Sequence, residues 1–278
     1  MSEAKALKKF NYKKFFKENN TLIIFILLII VSACLSSNFL TYRNITNVLR
    51  QQVPYVLLGI GSMLVIMTGG IDLSCGAILG VGSVVIALFL ERGNVVTVPG
   101  LMGCVVLTAL IGALVGLANG VLVAYCKMAA FIATLAVMTI AQGIAYILTS
   151  GQPIRLPDTA ATKALVAFAE VRDPLIGMPV AVYVALAGIF VTCRAAIGTP
   201  ATVSGGYELD AIAAVVIGGA NLNGGKASVV NTVIGVLIMA LIGNIMNLLS
   251  IAAYPQKVVK GVIIIASVLL QSLGRKKQ

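Results

Sequence analysis

Histidine and tryptophan are absent from this 278-residue chain, and charge is scarce: 20 Lys and Arg and nine Asp and Glu make up only 10% of it. Without histidine there can be no His-based general acid/base chemistry, no Ser/His or Cys/His nucleophile and no His-ligated zinc site. Five cysteines, Cys34, Cys75, Cys104, Cys126 and Cys193, lie in or beside apolar segments. Their odd number and the lack of any CxxC pair read as free buried thiols, with no disulfide framework and no metal site. A chain this poor in charge cannot cover the surface of a soluble domain.

What fills the sequence instead is apolar: 59% of the residues. Uncharged stretches recur at 19–42, 51–71, 73–90, 93–126, 128–154, 174–193 and 227–256. A membrane-spanning helix needs roughly 20 such residues. Lipid offers no partner to bare backbone N–H and C=O groups, and no strand-like alternation suggests a barrel, so the spans are helical. The expected class is all-α, a polytopic transmembrane bundle forming a single transmembrane domain over 1–278.

The formal charge of +11 sits mainly at the ends. Lys5, Lys8, Lys9, Lys13, Lys14 and Lys17 form a Lys-rich tail over 1–19, and Arg275, Lys276 and Lys277 fall in a second tail, 274–278. Both tails read as cytoplasmic by the positive-inside rule. Basic residues interleaved with aromatics over a folded surface are missing, so a nucleic-acid partner is not expected. The apolar run from Thr21 to Ala33 has a signal-like look, and Val31-Ser32-Ala33-Cys34 fits a lipobox-like pattern. In a chain of many spans it reads as an uncleaved first helix.

Helices are expected at about 20–37, 51–68, 74–90, 98–125 and 131–150. Five crossings from the cytoplasm put Lys127 inside and the mixed-charge segment 151–174 outside as a loop, with Arg43, Arg50 and Arg92 in outer turns. Further apolar segments come at 175–194, 208–220, 228–249 and 254–273, about nine in all. Nine is odd, and two cationic tails demand an even number. A re-entrant segment near 175–220, or a crossing missing from the chain, is therefore expected.

Small residues at four-residue spacing, Gly112, Gly116 and Gly120, with Gly76 and Gly80 as a second pair, are expected to pack helices closely. Two polar segments interrupt the apolar pattern. One is Gly69-Gly70-Ile71-Asp72-Leu73-Ser74. The other runs from Gly206-Tyr207-Glu208-Leu209-Asp210 to Gly218-Gly219 and on through Asn221-Leu222-Asn223-Gly224-Gly225-Lys226. Acids within membrane segments are functional candidates by default, although Asp72, Ser74, Glu208 and Asp210 also sit where they could cap helices. Asp72, Ser74, Tyr207, Glu208, Asp210, Asn221 and Asn223 are the candidates for a substrate pathway or gate. Gly69, Gly70, Gly218, Gly219, Gly224 and Gly225 are expected to serve tight turns where backbone meets backbone.

These segments, with Thr68-Gly69-Gly70-Ile71-Asp72-Leu73-Ser74, Phe131-Ile132-Ala133-Thr134-Leu135 and Tyr254-Pro255-Gln256-Lys257-Val258-Val259-Lys260-Gly261, closely resemble the permease subunits of bacterial ATP-binding-cassette importers for ribose and related monosaccharides. The resemblance runs nearly end to end. It implies an inner-membrane sugar pathway between two permease copies, fed by an extracytoplasmic sugar-binding protein and powered by a cytoplasmic ATPase that binds the ATP. No cofactor or metal is expected on the chain itself. Gly219 to Lys226 only faintly resembles a phosphate loop, since Ala220 and Ala227 occupy the first glycine and the Ser/Thr of G-x-x-x-x-G-K-[ST]. Ala227 and Cys75 are mild departures from the family, which usually has glycine and valine there.

One departure is large. Gly177 to Val184 resembles the start of one family helix, whereas Leu186-Ala187-Gly188-Ile189 resembles the late part of the next. A hairpin with its basic loop, the family's expected contact with the ATPase, is thus expected to be missing near residues 184–186. Two other function classes remain open on sequence alone. One is an ion-coupled secondary transporter, for which only Asp72, Glu208 and Asp210 could serve; the other is a shortened, non-transporting membrane scaffold.

Overall fold

A computed structural model describes residues 20–92, 95, 97–170, 197–198 and 206–275. The expected span at 175–194, the place of the missing hairpin and both charged tails lie outside the described residues, apart from Gly274 and Arg275. Among the described residues the chain forms nine α-helices, eight of them apolar helices of the bundle, and one pair of two-residue strands.

Helix α1 is Asn20–Leu35, α2 Tyr42–Met67, α3 Cys75–Glu91, α4 Val98–Ala124 and α5 Ala130–Thr149. Among the described residues four helices, α2, α4, α5 and Val229–Leu248, are long and apolar enough to cross a membrane. The start of α2 differs from the sequence expectation. It begins at Tyr42, capped by Thr41, whose side chain accepts from the Asn44 N–H. Arg43 and Arg50 therefore lie in the helix and not in a turn. Their polar neighbours resemble a loop only because hydropathy counts them against a span, whereas an N-cap threonine starts a helix whether its first turns are polar or apolar.

Helix α3 is the interior element. Val84, Ile86, Ala87 and Leu90 are all but inaccessible, and Gly76, Gly80 and Gly82 are buried beside them. Its small residues let α5 close on one side, where Ala141 and Ala145 meet Val81, Val84 and Val85. On the other side the Thr108 methyl of α4 lies 2.9 Å from where a Cβ on Gly82 would stand. The outer faces of α4 carry exposed Leu110, Leu114 and Leu117, as expected where lipid is the solvent. Of the expected glycine ridge, only Gly112 has a neighbour, Ile78; nothing lies within 4 Å of a Cβ at Gly116 or Gly120. Among the described residues Gly116 and Gly120 thus lie on an outward strip of α4, whose inward face packs on α3 and α5.

The segment 151–174 is more than a loop. Strand β1, Ile154–Arg155, pairs antiparallel with β2, Ile197–Gly198. Helix α6, Ala160–Glu170, opens on Thr159, whose hydroxyl accepts from the Thr162 N–H at 3.2 Å. It buries Ala161 and Leu165 against Ile86, Leu90 and Leu101. The four described cysteines, Cys34, Cys75, Cys104 and Cys126, are free, but Cys34 and Cys126 are exposed rather than buried.

Helices α7, Tyr207–Ile217, α8, Val229–Leu248, and α9, Ala253–Arg275, complete the bundle against α1 and α2. Contacts set their directions. Asn44 near the start of α2 and Asn244 near the end of α8 exchange side-chain amide bonds of 3.0 and 2.8 Å. At the opposite end the Gly225 N–H donates to the Met67 carbonyl, and the Thr21 hydroxyl donates to the Ile217 carbonyl. Helix α7 has 11 residues, a rise of about 16 Å, and it starts only halfway along α2. Tyr207 lies beside Tyr55 and Leu58, and Val215 beside Met63 and Ile66. Both α7 and α9 run toward the end of the bundle where Asn20 lies. Arg275 therefore falls at the same end of the bundle as Asn20, while β2, paired with β1, lies at the opposite end.

Candidate functional site

A cavity of about 350 Å³ opens among α2, α7, α8 and α9. Its walls are unusually amide-rich for an apolar bundle: Asn44, Asn47, Gln51 and Gln52 come from α2, Asn244 and Asn247 from α8, and Gln256 from α9. On α2 the polar positions 44, 47, 51 and 55 recur at three or four residues, so they form one face. Several of these amides are pre-set by one another. Gln256 donates to Asn247 Oδ1 and to the Ile251 carbonyl, both at 2.8 Å. Asn44 also donates to the Phe39 carbonyl at 2.9 Å.

The floor lies at mid-bundle. Lys260 Nζ on α9 meets Asp210 Oδ2 on α7 at 2.6 Å, with side-chain exposures of only 29% and 15%. Tyr55 also lines this level, its ring stacked on Tyr207 with centroids 4.6 Å apart. A second hollow of about 600 Å³ adjoins the first through Asn44, Asn47 and Leu248, and carries Arg43 and Arg50.

The sequence candidates divide between this cavity and other places. Asp210 lines it, and Tyr207 supports its wall through Tyr55. Glu208, two residues before it, is 8% exposed and does not line the cavity; its Oε2 has no hydrogen-bond partner among the described residues. Asp72 and Ser74 tie the turn between α2 and α3. Asp72 Oδ1 accepts from the Ser74 N–H at 2.7 Å and from its hydroxyl at 2.6 Å. The fully buried Ser74 hydroxyl in turn accepts from the Asn119 amide of α4 at 2.8 Å. Thr134 of α5 closes the same knot, accepting from the Leu73 N–H and donating to carbonyls of its own helix or of Ile71.

Asn221 and Asn223 lie in the turn before α8, where Asn221 Oδ1 accepts from the Asn223 N–H at 3.0 Å. That turn packs on α2's end: a Cβ on Gly224, at φ +92°, would stand 3.1 Å from the Gly69 nitrogen. Gly70 approaches Ala130 and Val65, and Gly219 and Gly225 also take positive φ. Gly224 thus makes the tight backbone crossing expected of these glycines, at the Asn20 end and away from the cavity, whereas among the described residues nothing lies within 4 Å of a Cβ at Gly219 or Gly225, whose positive φ serves the turn alone.

The amides of the wall escape a reading of the sequence alone. Their signal is the helical spacing of 44, 47, 51 and 55 in a stretch too polar to look like a span. Lys260 stands out in the sequence only as one residue of a longer motif.

The family profile described as "Branched-chain amino acid transport system / permease component" matches residues 44–173. The ribose import permease protein of Haemophilus influenzae is 33% identical, the match covering 96% of this chain and 97% of that protein. The ribose import permease protein of Bacillus subtilis is 38% identical over 91% of each. The D-allose transport system permease protein of Escherichia coli is 30% identical over 99% of this chain and 98% of its own length. The match to the Haemophilus protein extends over 322 aligned positions, more than the 278 residues here, so several dozen positions of that relative have no counterpart in this chain. No solved structure matches the chain. A multi-pass protein of the bacterial inner membrane, the chain belongs to the permease family that includes the ribose import permeases.

Proposed function

We propose that the chain is the membrane-spanning subunit of an ATP-driven importer for ribose or a related monosaccharide, and that the amide-lined cavity is its part of the sugar path. The observation that carries this reading is the cavity wall. Uncharged amides both donate and accept, as sugar hydroxyls do, and seven of them converge in a bundle otherwise built of Ala, Val, Ile, Leu and Gly. Metal-ligating clusters are absent among the described residues, and nothing in the wall calls for covalent chemistry.

In this reading the chain hydrolyses no ATP. A separate cytoplasmic ATPase binds the nucleotide, an extracytoplasmic binding protein delivers the sugar, and a second permease copy completes the path. Both termini face the cytoplasm, which places the Leu248 end of the bundle, with Asn44 and Gln256, toward the delivering protein. Relatives that carry several dozen further positions support the expectation of a lost hairpin. The family's expected ATPase contact lies there, so coupling is the step most exposed to that loss.

The test is uptake of labelled ribose, galactose and xylose into vesicles holding this chain with its candidate ATPase and binding-protein partners, beside a full-length relative. ATP-dependent ribose uptake is expected. Uptake that survives ATP depletion but collapses with the proton gradient would make the chain an ion-coupled transporter. No uptake beside an active relative would make it a scaffold.

A further inference from the structure

The ion pair at the cavity floor has hydrogen-bonding capacity beyond what it uses. Lys260 carries three N–H donors, and among the described residues only Asp210 Oδ2 takes one of them. Asp210 Oδ1 has no hydrogen bond among the described residues. Both side chains line the cavity, and Gln256 stands one turn above Lys260 on the same helix. An ion pair that served only to fasten α7 to α9 would gain nothing from leaving donors and an acceptor open to a hollow, since a buried pair repays its desolvation only when its remaining valences are satisfied.

We infer that Asp210 and Lys260 together form the specificity-determining floor of the cavity, a charge-neutral pair that grips adjacent hydroxyls of a neutral aldose through charge-assisted hydrogen bonds. This rests on the proposed sugar path and names the groups that read the sugar within it.

Three features argue for that ligand class. A carboxylate beside an ammonium offers an acceptor and a donor side by side, which is what two vicinal hydroxyls offer in return. The pair has no net charge and the other polar side chains of this wall are amides and Tyr55, so a neutral ligand meets no unbalanced field there, whereas an anionic sugar phosphate would find no unpaired cation on this floor. The Tyr55 ring, held by its stack on Tyr207, gives an apolar face at the same depth, suited to the C–H face of a sugar ring. Hydrogen bonds to charged groups are about twice as strong as neutral ones, so the floor, more than the amide wall, would set discrimination between a sugar and its deoxy analogue.

The test compares the full chain with Asp210→Asn, Lys260→Gln and the double variant, in vesicles with ATPase and binding protein. Ribose is set against 2-deoxyribose, and abundance in the membrane is checked by immunoblot. Asp210→Asn/Lys260→Gln keeps shape and a neutral hydrogen bond across α7 and α9 but removes the charges. The double variant is expected at parental abundance, with ribose uptake lowered on the order of tenfold and the preference for ribose over 2-deoxyribose largely lost. A double variant with parental uptake and parental preference would make the pair a structural clamp and overturn the inference. A second measurement separates this from failure of transport itself: the melting temperature of the purified chain with and without ribose. If the parent transports nothing, a ribose-dependent rise in the parent that the double variant lacks still upholds the inference; no rise in the parent overturns it.

Discussion

Glycine at 218 and at 235 is what lets α7 and α8 touch. A Cβ on Gly218 would stand 2.6 Å from the Asn231 carbonyl oxygen, and one on Gly235 would overlap the carbonyl of Ala214. Backbone is the obstacle in both cases, so no side chain can swing away. Close approach of this kind supplies the packing that helices in lipid need, where the hydrophobic effect does not join them. Gly235→Ala is therefore expected to push α8 off α7 and to lower stability by about 1–3 kcal/mol, the usual range for overpacking. Gly116→Ala, on the outward strip of α4 with nothing within 4 Å, is expected to leave stability unchanged or slightly raised through helix propensity. Thermal unfolding of the two purified variants checks both at once, and equal melting temperatures would contradict these roles for the glycines.

At the scale of elements, α2 and α8 are joined by a polar seam as well as an apolar one. Val236 and Thr232 close on Gly59, and farther along the pair Asn44 and Asn244 exchange two amide bonds. Either asparagine truncated alone leaves the other's amide short of a partner at a half-buried site. In a double-mutant cycle, Asn44→Ala and Asn244→Ala are expected to couple by about 1 kcal/mol in unfolding free energy. Additive effects would mean that water replaces the lost partner at no cost. This seam also marks the limit of what the sequence disclosed. The ends of α4 and α5 were legible because Thr97, Pro99 and the apolar run are local signals. The first two turns of α2 were not, since Arg43, Asn44, Asn47 and Arg50 are polar for a reason that lies on other helices: they face hollows that α8 and α9 help to enclose. Likewise Asp210 could be singled out as an acid in an apolar helix, while its partner Lys260, 50 residues away, could not. Asp72 and Ser74 stand out equally, yet they bond each other and Ser74 bonds Asn119 of α4, knotting a turn rather than lining the cavity.

For the whole molecule, the decisive element is the shortness of α7. Eleven residues rise about 16 Å against a hydrocarbon core of roughly 30 Å, so α7 fills only the half of the bundle nearest Asn20. Its first turn, with Glu208 and Asp210, opens at mid-depth under the cavity. A half-helix beginning at the midplane is how transport proteins place polar groups deep in a membrane while the surrounding protein satisfies the broken backbone. The parity that nine expected spans leave unresolved turns on β2 rather than on the length of α7. Strand β2 pairs with β1 just after α5, on the side away from Asn20, and α7 then reaches the Asn20 side, α8 returns and α9 comes back again. That path brings Asn20 and Arg275 to one face. A reporter fused after Gln278 that is active only in the cytoplasm is expected to be fully active, and one inserted at Ser250, in the turn between α8 and α9, inactive. Should the tail reporter be silent while the Ser250 insertion is active, α7 does not carry the chain across, and the Leu248 end of the cavity would open toward the cytoplasm.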